Sequence, residues 1–262
     1  MKILILGGGG REHAIAWKLK QSAKCEDLFI APGNAGTSAL GTNVALDVNN
    51  KEQVGAFCIE NQIEMLVVGP EDPLVNGIQD YFKATDNLKE IAVIGPSAQA
   101  AQLEGSKAFA KRFMDKYNIP TASYKEFTAE NFREGLKHIE RQTPPIVLKA
   151  DGLAAGKGVI ISQSHEEAKA AFTEMIKNEQ FGAASSRVVI EQFLDGIEMS
   201  VFALTDGSNY VLLPNAKDYK RIGEGDTGLN TGGMGAISPV PFADPAKYQQ
   251  QLLSDQKYKD RK

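Results

Sequence analysis

The sequence predicts an α/β protein: an N-terminal open parallel sheet covered by helices, then a small α+β unit, then part of a further sheet. Three observations predict it. Short apolar runs at 2–6, 28–31, 44–48, 65–68 and 91–94 alternate with helix-compatible stretches over the first hundred residues, the pattern of a parallel sheet with helical crossovers. Glycine or proline ends these runs at Gly7, Pro32, Gly69 and Gly95, along the edge where open α/β sheets bind ligands. Beyond Ile119-Pro120 helices still separate some strands, but glycine-dense stretches appear at 152–158 and 223–235.

In chain order, 2–6 is an unbroken apolar run and so a buried strand. The stretch 11–21 reads as a helix, with Ala14, Ile15, Trp17 and Leu19 on its apolar side. Strands at 28–31 and 44–48 follow, then a helix at 52–61 turning Val54, Phe57 and Cys58 inward. A strand at 65–68, a helix at 74–84 and a strand at 91–94 complete the first unit. Ser97 caps a helix running to Lys116, with Glu104 and Lys107 on its surface, and Ile119-Pro120 stops it. The next unit reads as a strand at 123–127, a helix at 130–141, a strand at 146, a helix at 166–176 capped by Ser164, and a strand at 188–193. Strands at 198–204 and 210–213 open the last sheet, and 223–239 reads as an ordered loop. The expected domains are 1–100, a connecting helix 101–122, a lid 123–190 and a partial central unit 191–262.

The 262 residues carry 29 Lys and Arg against 33 Asp and Glu, a net charge of −4. Such a balance argues against nonspecific binding to nucleic acid or anionic membrane. No run of apolar residues is long enough to span a bilayer, and the N-terminus reads as a first strand, not a signal peptide. Two cysteines and three histidines form neither a disulfide framework nor a clustered zinc site, so no metal site is expected among them and the expected compartment is the cytoplasm.

Chemistry concentrates in a few stretches. Residues 147–161, VLKADGLAAGKGVII, read as a hairpin with a pliant tip of Gly152, Gly156 and Gly158. Such a tip lays backbone N–H groups over phosphate oxygens, and Lys149 and Lys157 add charge. It is not a P-loop, because Gly158 follows Lys157. Gly7 to Gly10 fail the dinucleotide spacing, with Glu12 or His13 where the third glycine would stand. A phosphate at the start of the Arg11 helix, clamped by Arg11, fits better. The strand ending in Glu191, Gln192, Phe193 and Leu194 can pair its backbone with an adenine edge, and Glu198 can accept from ribose hydroxyls. Lys220, Arg221 and the glycine-rich 223–239, with Asp226, Thr227, Asn230 and Thr231 as polar points, suit an active-site wall.

These strings resemble the phosphoribosylamine–glycine ligase family of the ATP-grasp superfamily: GGGGREHAIAWKL, APGNAGT, VVGPEDPLVNG, AQLEGSKAFAKRFM, VLKADGLAAGKGV, VIEQFLDGIEMSVF and GDTGLNTGGMGAISP, in colinear order. The resemblance implies ATP-dependent joining of 5-phosphoribosylamine to glycine through a glycyl phosphate, in purine synthesis, with magnesium or manganese. It implies Lys107 and Lys149 as phosphate lysines and 152–158 as the closing loop. It further implies 191–194 as the adenine hinge, and Glu198 on the ribose. Gly9, Gly10, Arg11, Glu12, Asn34, Gly36, Thr37, Pro70 and Glu71 would form the phosphoribosylamine cleft. Lys220, Arg221 and the loop from Asp226 through Asn230, Thr231, Gly232, Gly233 and Met234 to Gly235 would lie near glycine and the reacting phosphate.

Members of the family are longer than this chain. They carry an E-F-N-x-R-F-G-D-P-E metal-binding string that does not occur here. An incomplete ATP-grasp fold is therefore expected, inactive alone, binding sugar phosphate or nucleotide at most, and self-associating through its cut sheet edge. Gln192 and Tyr219 stand where many members have Glu and His.

Overall fold

The structure is a computed structural model that describes residues 1–153, 158–225 and 227–243. The chain folds as two units, Met1–Phe193 and Leu194–Lys262.

The first unit opens with a five-stranded parallel sheet, order β3-β2-β1-β4-β5. Its strands are β1 (Lys2–Gly7), β2 (Asp27–Pro32), β3 (Thr42–Asn43), β4 (Met65–Val68) and β5 (Ala92–Ile94). The helices are α1 (Gly10–Lys20), α2 (Lys51–Glu60), α3 (Glu71–Val75) and α4 (Ile78–Ala84). Central β1 is covered on both faces: Leu4 and Leu6 join one core with Val54, Leu66 and Phe82, while Ile3 and Ile5 join another with Ala16 and Ile30. Burying each such side chain is worth roughly 1.5–3 kcal/mol.

Three elements differ from expectation. Residues 44–48 form no ladder; β3 is only two residues, and Val44, Leu46 and Val48 instead lie partly buried against the core. The helix expected over 74–84 is broken at Gly77, whose φ of +84° suits glycine and separates α3 from α4. On α1 the buried apolar residue is Ala16, with Ile15 and Leu19 partly buried, while Trp17 is 56% exposed and Ala14 is also exposed. The helix lies over β1 and β2 on a narrow stripe, and small Ala16 permits close approach.

The connecting helix is also two helices, α5 (Ala98–Gly105) and α6 (Lys107–Lys116). Ser97 caps the first by accepting from Ala100 N. Ser106 ends α5 and caps α6, its Oγ accepting from Phe109 N at 3.1 Å.

Four strands follow: β6 (Tyr124–Thr128), β7 (Ile146–Ala150), β8 (Val159–Ser162) and β9 (Arg187–Gln192). They form an antiparallel sheet, order β6-β9-β7-β8, as expected for the lid. Helices α7 (Phe132–Glu140) and α8 (His165–Lys177) cover one face. Ile146, Leu148, Ala150, Val188 and Ile190 point into that core around Phe172, which is fully buried and stacked on Phe132 with ring centroids 5.1 Å apart. Alternation then sends Val147, Lys149, Val189 and Glu191 to the opposite face.

The second unit is a three-stranded antiparallel sheet of β10 (Ser200–Thr205), β11 (Tyr210–Gly223) and β12 (Thr227–Ile237). The stretch expected as a loop from 223 to 239 is therefore mostly strand. Its glycines serve breaks in register: Arg221 pairs with Asn230 and Tyr219 with Gly235, so β12 carries extra residues that include Gly233 at φ +132°. Beyond β12, Val240 N donates to Oδ1 of buried Asn215 at 2.7 Å.

Two outcomes test the lid core. Phe172→Ala should lower stability by about 3–5 kcal/mol, read by denaturant unfolding, because it empties a site filled from three sides. Burial lowers the pKa of His138 from the ordinary 6.5, and Lys125 and Arg141 push the same way. The unfolded chain then takes up the proton first, so this contribution to stability is intact above the ordinary value and is lost as pH falls through the folded one. Between about pH 7 and about pH 5 the unfolding temperature should drop, and His138→Gln should flatten that slope.

Candidate functional site

The carboxyl ends of β1, β2 and β4 meet around the glycines that end them. Gly7 has a φ of +119°, and a Cβ there would stand 2.5 Å from the Glu12 side chain. A Cβ on Gly8 would meet Gly33 O at 2.6 Å, and one on Gly69 would collide with Glu12 Oε1. Around Gly10 there is open space. Two of the four glycines are thus required by packing, and the last leaves the start of α1 uncovered.

Glu12 is buried, and its Oε2 accepts from Gly9 N at 2.7 Å. It fastens the first turn of α1 between β1 and β4. Arg11 is exposed and donates from Nη1 to Gly69 O at 2.7 Å. Asn34 and Thr37 build the neighbouring loop. Asn34 Oδ1 accepts from Gly36 N and Thr37 N, its Nδ2 donates to Gly8 O at 2.9 Å, and the Thr37 hydroxyl donates to Asn34 O or Asn43 Oδ1. These side chains shape the backbone of the cleft. Beside them a cavity of about 290 Å³ is lined by Arg11, Gly69, Glu71, Leu74, Pro96, Ala101 and Glu104. Pro70 is the N-cap of α3, and Glu71 is its first residue. Glu104 is exposed, as expected, and also lines this cavity; the break after Gly105 is not visible in an uninterrupted helical pattern.

The second constellation lies where α6 meets the lid. Asp151 follows β7, and its Oδ1 accepts from Ser106 Oγ at 2.9 Å and Ala108 N at 3.2 Å. This fixes the N-terminus of α6 against the base of the glycine hairpin. Lys107, its first residue, donates to Gly152 O at 2.8 Å. Burial lowers the Lys107 pKa below the usual lysine value; Asp151 opposes that and Lys149 reinforces it. Lys149 Nζ lies 2.9 Å from Glu191 Oε2, from the diagonal position on the neighbouring strand. Lys111, one turn after Lys107, reaches the same oxygen at 3.1 Å. Glu191 Oε1 is buried without a partner.

Lys107, Lys149, Gly152 and Glu191 are thus brought together. Buried Gly158 closes the hairpin, accepting from Ala150 N at 2.8 Å. Gln192 and Phe193 line a different cavity of about 440 Å³, beside Pro144 and Pro145. Gly156, Lys157 and Asp226, with the side chain of Asn230, lie outside the described residues.

In the second unit Leu194 is 64% exposed. Glu198 Oε1 stands 3.0 Å from Lys220 Nζ, which also lies 3.3 Å from Asp218 Oδ2. The Glu198 hydrogen bond, together with the two carboxylate charges, raises the Lys220 pKa, partly opposed by desolvation. Arg221 sits one residue further along β11, opposite Asn230. Thr231 Oγ1 donates to Lys220 O at 2.7 Å and accepts from Gly233 N at 3.1 Å. Nothing lies within 4 Å of a Cβ position at Gly232, Gly233 or Gly235, and Met234 is exposed. Lys111 was the residue that sequence reasoning missed: a lysine on a charged helix reads as surface, and only the fold buries it.

Two family models match, "Phosphoribosylglycinamide synthetase, N domain" over residues 1–104 and "Phosphoribosylglycinamide synthetase, ATP-grasp (A) domain" over 105–255. The phosphoribosylamine–glycine ligase of Pasteurella multocida is 51% identical over 247 residues, 94% of this chain and 56% of that protein. That of Escherichia coli O157:H7 is 47% identical over 254 residues, 96% of this chain and 58% of that protein. The crystal structure of phosphoribosylamine–glycine ligase from Thermotoga maritima superposes with a TM-score of 0.78 at 37% identity, covering 98% of this chain and 61% of that one. N5-carboxyaminoimidazole synthetase from Staphylococcus aureus, complexed with ADP, shares the fold at a TM-score of 0.67 and 14% identity, covering 98% and 62%. The chain spans 56% to 58% of the length of these two curated relatives. The expectation of an ATP-grasp fold that is incomplete over these residues holds, and the chain belongs to the phosphoribosylglycinamide synthetase family.

Proposed function

We propose that this chain supplies the phosphoribosylamine cleft and the lid side of the ATP site for the ligation of 5-phosphoribosylamine to glycine. ATP would phosphorylate the glycine carboxylate, and the amine would displace phosphate from the glycyl phosphate to form the amide. The observation that carries the reading is the gathering of Lys107 and Lys149 at the base of the glycine hairpin. Among the described residues both ammonium groups are held by protein oxygens that phosphate oxygens can replace. Positioning and charge compensation supply most of the rate in phosphoryl transfer.

The other roles belong to the same proposal. Unpartnered Glu191 Oε1 is a buried acceptor suited to an N–H donor such as the adenine amino group. Phe193 and Leu194 follow it as apolar neighbours for the ring. Glu198 would exchange Lys220 for ribose hydroxyls. Arg11, with open Gly10 beside it, takes the sugar phosphate, while Glu71 and Glu104 face the same cavity as candidates for its amine and hydroxyls. Lys220, Arg221, Asp226, Asn230 and the strand 231–235 would meet glycine and the transferred phosphoryl.

Magnesium or manganese in this family would neutralise phosphate charge. Among the described residues no group of three His, Cys, Asp or Glu stands together to hold an ion. The described residues do not fit that group by themselves. Residues 1–262 taken alone are accordingly proposed to bind ligand without turnover.

In the second unit Val201, Phe202 and Leu204 are exposed on the edge strand β10, which favours self-association. Among the described residues no helix is long and apolar enough to cross a membrane. Cys25 and Cys58 are both free, and burial pushes the Cys58 thiol up to about 12, as suits a reducing cytoplasm.

Activity tests the reading. Fused to the remaining length of a family member, the chain should release ADP only when glycine and phosphoribosylamine are both present. Glycine-independent ADP release would remove the ligase reading, and glycine-dependent release by residues 1–262 alone would remove the claim of inactivity. In the active form Lys149→Ala should weaken use of ATP by roughly 1.5–3 kcal/mol, the worth of one charge-assisted contact, measured as kcat/KM. Arg11→Ala should raise the KM for phosphoribosylamine and leave that for ATP unchanged.

A further inference from the structure

We infer that Lys111 is a positioning residue for the phosphate lysine: it shares the Glu191 carboxylate so that Lys149 can leave it. The inference rests on the reading of Lys149 as a phosphate contact.

Lys111 and Glu191 have side chains only 7% and 5% exposed, whereas that of Lys149 is 29% exposed. An ammonium has three donors. Those of Lys111 have three protein acceptors within reach: buried Glu191 Oε2 at 3.1 Å, buried Ala122 O at 3.2 Å, and Thr121 Oγ1 at 2.7 Å. The Tyr124 ring lies beneath it, 5.5 Å from Nζ. Lys111 is therefore anchored. Among the described residues Lys149 pairs with the same Oε2, at 2.9 Å, and its side chain is the more exposed of the two lysines.

This asymmetry matters when a phosphate arrives. With one lysine only, turning Lys149 toward phosphate would strand a buried carboxylate, which is strongly unfavourable. Lys111 keeps Glu191 compensated whether Lys149 is docked or away. The trio also carries a net charge of +1 rather than zero, which favours an incoming polyanion. Lys111 touches no proposed ligand, so its effect passes through Glu191.

The test uses Lys111→Met in the chain as it stands, labelled with 13C-lysine. The ε-carbon signal of Lys149, identified by its loss in Lys149→Arg, should move in Lys111→Met. Inorganic tripolyphosphate and ATP should then bind about tenfold more weakly or worse, while adenosine, which has no phosphate, binds as in the wild type. Lys111→Arg should recover part of the loss. Thr121→Ala, which removes one anchor only, should shift both readouts less and in the same direction; it serves if Lys111→Met does not fold. An unmoved Lys149 signal, or unchanged tripolyphosphate affinity in a folded Lys111→Met, overturns the inference. Equal weakening for adenosine also overturns it, since that marks general damage. A wild-type chain that ignores tripolyphosphate would instead remove the phosphate reading of Lys149, and the Lys149 signal would still decide whether the coupling exists.

Discussion

One carboxylate oxygen, Glu191 Oε2, holds two ammonium groups at 2.9 and 3.1 Å inside the protein. Lys111 and Glu191 are buried and Lys149 is partly so; burying charge is costly unless it is paired and hydrogen-bonded, and this requirement orders much of the first unit. It demands that α6 lie on the uncovered face of the lid sheet, so that Lys111 reaches β9. It demands the antiparallel register that sets Lys149 and Glu191 diagonally across β7 and β9. Asp151 completes the arrangement by capping α6 from the end of β7, which places Lys107 over the hairpin. The lid core around Phe172 fills one face of the sheet, and the charges lie on the other.

A second buried carboxylate organises the N-terminal sheet in a similar way. Glu12 occupies the space that side chains at Gly7 and Gly69 would fill, and it fastens α1 through Gly9 N. Arg11 is consequently projected over the end of β4 toward the cavity. The glycine run thus divides its work. Its first residues make room for protein, and its last leaves open space at the start of α1.

Much of this was legible in the sequence, for identifiable reasons. Parallel strands buried on both faces announce themselves as apolar runs, which is why β1, β2 and β4 fall where the pattern places them; β5, at the sheet edge, is apolar but largely exposed. Caps are local chemistry, so Ser97 and Ser164 mark their helices correctly. What the sequence hid depends on neighbours distant along the chain. Val44 to Val48 have strand composition but find no ladder partner. Ser106 interrupts a helical pattern only because Asp151, far along the chain, binds its hydroxyl. The glycines of β12 suggested a loop, because bulges that absorb a register mismatch are invisible without the opposing strand. The lysines of the site were found by motif, whereas the shared Glu191 and the anchored Lys111 required the fold.

The central claim is that the lid lysines form a site for a nucleoside polyphosphate. It is tested most directly by titrating the chain calorimetrically with ATP and with adenosine at low and at high salt. The account predicts tighter binding of ATP, with the difference shrinking as salt screens the lysines. Equal affinity for the two ligands, or a difference indifferent to salt, would contradict it.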